Sequence, residues 1–245
     1  MNDFEKNLLI EGMRLKAVEH LIEAQQKNYP QDLITIIERF IIGIEKGKDN
    51  YLQDPETGRM MGSIGSGSGG SKPITPITDK AVERVPNVSI SGYTDEQCAF
   101  IQQQHKELLT YSHDKNGDKE VAFVFDGELK SRKEFKGTDD KLDFGGALHG
   151  KDLFVMHNHP RNSSYSTMDI DFFAGNSCVK TLTIVTNNGR VETITKSSQF
   201  SLSLFQKEYN RLYKKIVVTD TDSERDKFVK TLLSKTKSGV IWNVG

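Results

Sequence analysis

Val155-Met156-His157-Asn158-His159-Pro160 is a short apolar run that breaks into two histidines and a proline, and Arg161-Asn162-Ser163-Ser164-Tyr165-Ser166-Thr167-Met168-Asp169 follows it directly. If the histidines end a strand, the period of two puts both imidazoles on one side, the geometry that grips a single metal ion. Pro160 then stops the strand. Ser166 to Asp169 has the S-x-x-D form that opens a helix, here running on through Ile170, Phe172, Phe173 and Ala174. Asp169 falls in its first turn, where the carboxylate can face the strand end. Two histidines and one carboxylate, with a fourth position left to water, make up the recurrent layout of a catalytic zinc site, and zinc brings the pKa of that water to about 7. Each half of the pattern is weak alone, since S-x-x-D is more often a cap than a ligand. A strand, a proline stop and a capped helix in one run make the coincidence informative. The contiguity of His-Asn-His argues against a nuclease of the HNH type, which draws these residues from separated positions. The Pro-Cys-x-x-Cys partner of a nucleobase deaminase and an H-E-x-x-H helix are both absent from the sequence.

Outward from this stretch the elements alternate. Upstream, Thr94-Asp95-Glu96-Gln97 fits a capping box opening a helix through Cys98, Ile101, Leu108 and Leu109. Val121, Phe123 and Phe125 then alternate in a strand that ends at Asp126-Gly127. Downstream, Leu182 to Val185 and Val191 to Ile194 flank Asn187-Asn188-Gly189, a hairpin signal, and helical spacing returns around Leu204, Tyr209 and Leu212 and from Glu224 to Leu233. Helices around a central mixed sheet of four or five strands predict an α/β or α+β fold. Gly62 to Ser71, GSIGSGSGGS, reads as flexible coil with no side chains to pack, open to proteolysis, and Lys72 to Ile90 as an extended lead-in. Before it, Leu9, Met13, Ala17 and Leu21, and then Leu33, Ile36, Ile37, Phe40, Ile41 and Ile44, form two apolar stripes of a helical hairpin. Such a hairpin must cover its stripes with each other, with the rest of the chain or with a partner. The expected domains are residues 1–50 (hairpin), 51–91 (linker) and 92–245 (metal-dependent domain).

The chain of 245 residues is 36% hydrophobic and 27% charged, which is a globular composition. A net charge of −1 argues against a broad electrostatic surface for nucleic acid or membrane. Lys207, Arg211, Lys214 and Lys215 form one basic helical face, a pattern that is usually just solvated. The two cysteines, Cys98 and Cys178, are too few and too distant for a disulfide framework, so they are expected in the core of a reduced, intracellular protein. The N-terminal residues show no secretory signal. The longest apolar cluster, Leu33 to Ile44, is interrupted by Glu38 and Arg39 and cannot span a bilayer.

The segment His157-x-His159-Pro160 … Ser166-x-x-Asp169 resembles the JAMM signature of the JAB/MPN metalloprotease superfamily, which includes deubiquitinating isopeptidases and RadC-type proteins. The resemblance covers roughly residues 92–245. It implies a JAB/MPN-like domain with cytidine-deaminase-like layering, a zinc ion held by His157, His159 and Asp169, and cleavage of a peptide or isopeptide bond. It further implies that Ser166 helps to hold the oxyanion and that an upstream glutamate at the edge of an early strand is the general base. Glu120 matches that position, with Glu128 and Glu134 as alternatives in the following turn and strand. The loop between His159 and Ser166 is one residue shorter than the common family pattern. The order of elements is similar to a branch found among tailed-phage and prophage proteins, where such domains stand alone or are fused to head-assembly or toxin modules. That branch implies a cytoplasmic or virion-associated protein, with a phage structural or host protein as a partner of the hairpin. A JAB fold used as a non-catalytic assembly module, and a RadC-like protein associated with nucleic acid, are the competing expectations.

Overall fold

The computed structural model describes residues 73–144, 147–219 and 221–245, together with residues 19–23, 25–27, 34, 53–54, 59–60 and 63–64. The chain divides into two units, Met1–Met61 and Gly62–Gly245. In the first, residues 19–23 are helical and Gln53–Asp54 pairs antiparallel with Arg59–Met60. Residues 25–26 and 34 are helical as well, and the rest of the expected hairpin over residues 1–50 lies outside the described residues.

The second unit is α+β. Its helices are α1 (Asp79–Glu83), α2 (Asp95–Asn116), α3 (Thr167–Gly175), α4 (Leu202–Ile216) and α5 (Asp222–Lys235). The strands of its main sheet are β1 (Val121–Phe125), β2 (Arg132–Lys136), β3 (Leu153–His159), β4 (Val179–Thr186), β5 (Val191–Lys196) and β6 (Val240–Val244). They form one six-stranded mixed sheet in the order β6-β5-β4-β3-β1-β2. Only β3 and β4 are parallel, and a parallel pair needs a crossover. The loop after His159 and helix α3 supply it, so the metal-loop sequence is also the crossover between the one adjacent parallel pair of the sheet.

Helices cover both faces, which is why every residue of β3 is buried. Ala122, Val124, Leu153 and Val155 point to the side of α3, α4 and α5. Val121, Phe123, Phe125, Phe154 and Met156 point to α2, whose Cys98, Ile101, Leu108 and Leu109 recur at helical spacing on the buried side. The Thr94–Gln97 capping box forms at the start of α2, and Gly117 ends the helix in the left-handed region. At the β4–β5 hairpin, Gly189 has φ +90°, and a Cβ there would lie 2.3 Å from the Ala81 carbonyl oxygen, so both angle and space require glycine. Cys98 is buried, and Cys178 is half-buried against the core. The four basic residues on α4 are exposed. Among the described residues, no helix is long and apolar enough to cross a membrane.

Three expectations need correction. The lead-in is not wholly extended: Thr78 caps α1, and Ala81 and Val85 are buried beside it. The sheet has a sixth strand, β6, a short β-branched and aromatic run that pairs with β5 through Trp242 opposite Ile194. The Gly/Ser stretch does carry one packed side chain. Ile64 is fully buried, and Ser63–Ile64 pairs antiparallel with Leu142–Asp143.

One buried polar residue of this core has a measurable consequence. His105 on α2 is fully buried, with Nε2 2.8 Å from the Thr183 hydroxyl, and burial pushes its pKa down to about 3. Between about pH 6.5, where an unfolded histidine takes up its proton, and pH 3, the unfolded chain binds the extra proton, so stability falls as the pH falls. Denaturant unfolding of wild type and His105→Gln should diverge below pH 6.5, wild type losing about 1.4 kcal/mol more per pH unit. Parallel profiles would show that His105 protonates in the fold without cost.

Candidate metal centre

The last turnings of β3 and the first turn of α3 build the site. His157 and His159 lie on the same face of β3, two residues apart, and their Nε2 atoms approach to 2.8 Å. Asp169 reaches both from α3, with Oδ1 3.2 Å from His157 Nε2 and Oδ2 3.4 Å from His159 Nε2. All three side chains are fully buried. Together they form a group that could hold a metal ion, one donor atom from each residue. Such convergence of lone pairs in a dry interior is repulsive unless a proton or a cation is shared among them.

Asp169 is placed by the helix start. Ser166 is the N-cap, and the capping box is complete: the Asp169 amide donates to Ser166 Oγ at 3.1 Å, and Asp169 Oδ2 accepts from the Ser166 amide at 2.7 Å. The Ser166 hydroxyl also donates to Asp169 Oδ2, at 2.8 Å. Its single proton therefore goes to the carboxylate, and any use of Ser166 toward an oxyanion requires that proton to be redirected.

His159 is oriented from behind. Its Nδ1 is 3.1 Å from the Ser163 carbonyl oxygen, which can only accept, so Nδ1 carries a proton and Nε2 is left to face Asp169. The Ser163 hydroxyl lies at the same distance. This partner is a backbone group, and no residue-type pattern could have shown it.

Glu120 is fully buried at the entrance to β1. Ala122 pairs with His157, and carrying that antiparallel register two residues on puts Glu120 opposite His159 on the same face. Its negative charge helps to raise the proton affinity of His159. The backbone of Glu120 is clamped on its other side, its amide donating to Thr138 O at 2.9 Å and its carbonyl accepting from the Gly137 amide at 2.8 Å. The alternatives lie elsewhere: Glu128 is exposed and pairs with Lys130, and Glu134 pairs with Arg132 opposite Phe123, a residue of the α2 face.

The electrostatics divide the two imidazoles. Burial pushes the pKa of His157 down, and Asp169 offsets only part of this. Burial acts the same way on His159, but Asp169 and Glu120 outweigh it and the pKa is raised. At Asp169, burial would push the carboxyl up, yet His157 and His159 hold it well below the usual carboxylate range. Asp169 is thus kept ionised beside a His157 whose proton is disfavoured, and a metal ion binding here would take the place of the proton that Asp169 and Glu120 favour on His159.

Asn158, between the two histidines, points to the opposite face and works as a tie. Its Oδ1 accepts from the Val121 amide at 2.7 Å, and its Nδ2 donates to Asn187 Oδ1 at 2.8 Å and to Lys119 O at 3.2 Å. Asn187 in turn donates to Asp118 O at 2.9 Å and Thr75 O at 2.8 Å. This network fixes the end of β3 against the start of β1, and so fixes the two histidines relative to Glu120. Tyr165 locks the loop from the other side, its hydroxyl within hydrogen-bond distance of the backbone oxygens of Leu182 and Glu192, at 2.7 and 2.9 Å. Comparison with family models, with curated proteins and with solved structures gives no match for this chain.

Proposed function

We propose that the chain is a zinc-dependent hydrolase of a peptide or isopeptide bond, of the JAMM type. The observation that carries the reading is the buried meeting of His157, His159 and Asp169 with a second carboxylate, Glu120, opposite His159. The donor set of two imidazoles and one carboxylate suits zinc, and a bound zinc supplies Lewis acidity toward water and the scissile carbonyl. Glu120 takes the proton from the attacking water and hands it to the leaving amine. Ser166 holds the Asp169 carboxylate in place, and its hydroxyl serves an oxyanion only once its proton leaves Oδ2. Asn158 and Ser163 position the histidines without touching the substrate.

Elemental analysis of protein purified without a metal-affinity column should find about one zinc per chain. The same preparation should cleave a mixed peptide and isopeptide library in a way that chelation stops and added zinc restores. Zinc at full occupancy without any cleavage would favour the second reading, an assembly module with a closed structural ion. The complete burial of the ligand set is the observation that supports that alternative. No bound metal after zinc is added back would remove both.

A further inference from the structure

We propose that Ser63–Ile64 is an intramolecular occupant of a peptide-binding groove beside the metal centre, and that it must leave before an extended peptide from a second protein can enter. The proposal rests on the peptidase reading and adds a means of control to it. Within GSIGSGSGGS, Ile64 is the one large side chain, with Gly62 and Gly65 on either side of the Ser63–Ile64 pair. The pair adds to Leu142–Asp143 as a two-residue antiparallel ladder, separate from the main sheet, with Ser63 opposite Asp143 and Ile64 opposite Leu142. Ile64 is fully buried in the cluster that contains Leu142, Phe144 and Phe172.

On this reading a substrate strand takes the place of that ladder. The segment that carries Leu142–Asp143 is the same one that clamps Glu120: Thr138 O accepts from the Glu120 amide, and the Thr138 amide donates to Lys141 O at 2.8 Å, turning the chain into the ladder. On the other side, Phe144 stacks on Phe172 with ring centres 5.1 Å apart, and Phe172 stands one helical turn beyond Asp169. The groove filled by Ile64 therefore runs between the backbone that holds Glu120 and the helix that holds Asp169.

The need for displacement follows from burial. Glu120, His157, His159 and Asp169 have no exposed surface, so a scissile carbonyl reaches them only after something moves. A two-residue ladder is marginal on its own. Ser63–Ile64 is thus built to be released. A main-chain ladder plus one side-chain pocket is also the usual chemistry for taking up an extended peptide with an aliphatic residue at the pocket position. A tethered segment acts at an effective concentration on the order of millimolar. If the free peptide binds at roughly 10 μM, the resident segment weakens its apparent binding about a hundredfold.

The test uses the full zinc-loaded chain and a labelled peptide with the sequence of residues 61–68, followed by fluorescence anisotropy. Ser63→Pro breaks the ladder and Ile64→Asp empties the pocket. Both variants are expected to bind the peptide at least tenfold tighter than wild type and to hydrolyse library peptides faster, with zinc content unchanged. Should either variant unfold, hydrogen exchange on wild type decides: the Leu142–Asp143 amides should exchange at least a hundredfold faster than those of β3. Equal peptide affinity in wild type and both folded variants, or exchange as slow as in β3, overturns the proposal. Hydrolysis that both variants leave unchanged overturns the resident strand and keeps the peptidase. Peptide binding released by both variants with no hydrolysis anywhere overturns the peptidase and keeps the resident strand over a binding groove.

Discussion

Glu120→Gln should keep its zinc and lose its turnover. The side chain is fully buried, its backbone is clamped by Gly137 and Thr138, and glutamine has the same shape, so the fold and the ligand set have no reason to change. What disappears is a group that can accept a proton opposite His159. General-base catalysis is commonly worth a factor of about 10² to 10⁴, and kcat should fall by that range while KM stays within a few-fold. Elemental analysis and steady-state peptide hydrolysis on the same preparation check both halves. A variant that hydrolyses within twofold of wild type would put the base somewhere other than Glu120.

The His157→Ala/His159→Ala double variant should lose the metal outright, and with it a share of the stability. Ligand binding to the folded state alone stabilises by RT ln(1 + [L]/Kd), about 4 kcal/mol when zinc is present at 1,000 times its dissociation constant. For a chain of this length that corresponds to roughly 8–16 °C in melting temperature. Wild-type protein should therefore melt at a lower temperature after chelation and recover with zinc. The double variant should respond to neither treatment. A variant whose melting temperature still rises on adding zinc would mean that the stabilising ion sits outside the β3–α3 junction.

The parts of this molecule that could be read from the sequence are those whose cause is local. The β3 histidines, the proline stop and the Ser166–Asp169 cap lie within a dozen or so residues of each other, and each follows from backbone periodicity or capping chemistry. The same holds for the Thr94 cap and the turn at Gly189. Glu120 was a different case. Resemblance pointed to it, but nothing in Lys119-Glu120-Val121 says that it ends up opposite His159, because register is fixed by pairing between segments nearly forty residues apart. β6 and Ile64 escaped for the same reason. Each is a short segment whose strand character comes from a distant partner, Val191–Lys196 in one case and Leu142–Asp143 in the other. The Asn158 tie and the Ser163 carbonyl depend on main-chain atoms at 2.7–3.2 Å, which residue types do not encode.

The double use of Asp169 also bears on how such a site tolerates change in length. Its carboxylate is held by the amide and hydroxyl of its own helix cap, so the ligand's place is measured from the start of α3 and not counted along the chain from His159. Residues 160–165 join the two anchored ends and are tied down in their own right, Ser163 to His159 and Tyr165 to the backbone of Leu182 and Glu192. A loop one residue shorter than the common JAMM spacing can still present the same three donor atoms, because the cap and its carboxylate are one rigid piece set by the start of α3.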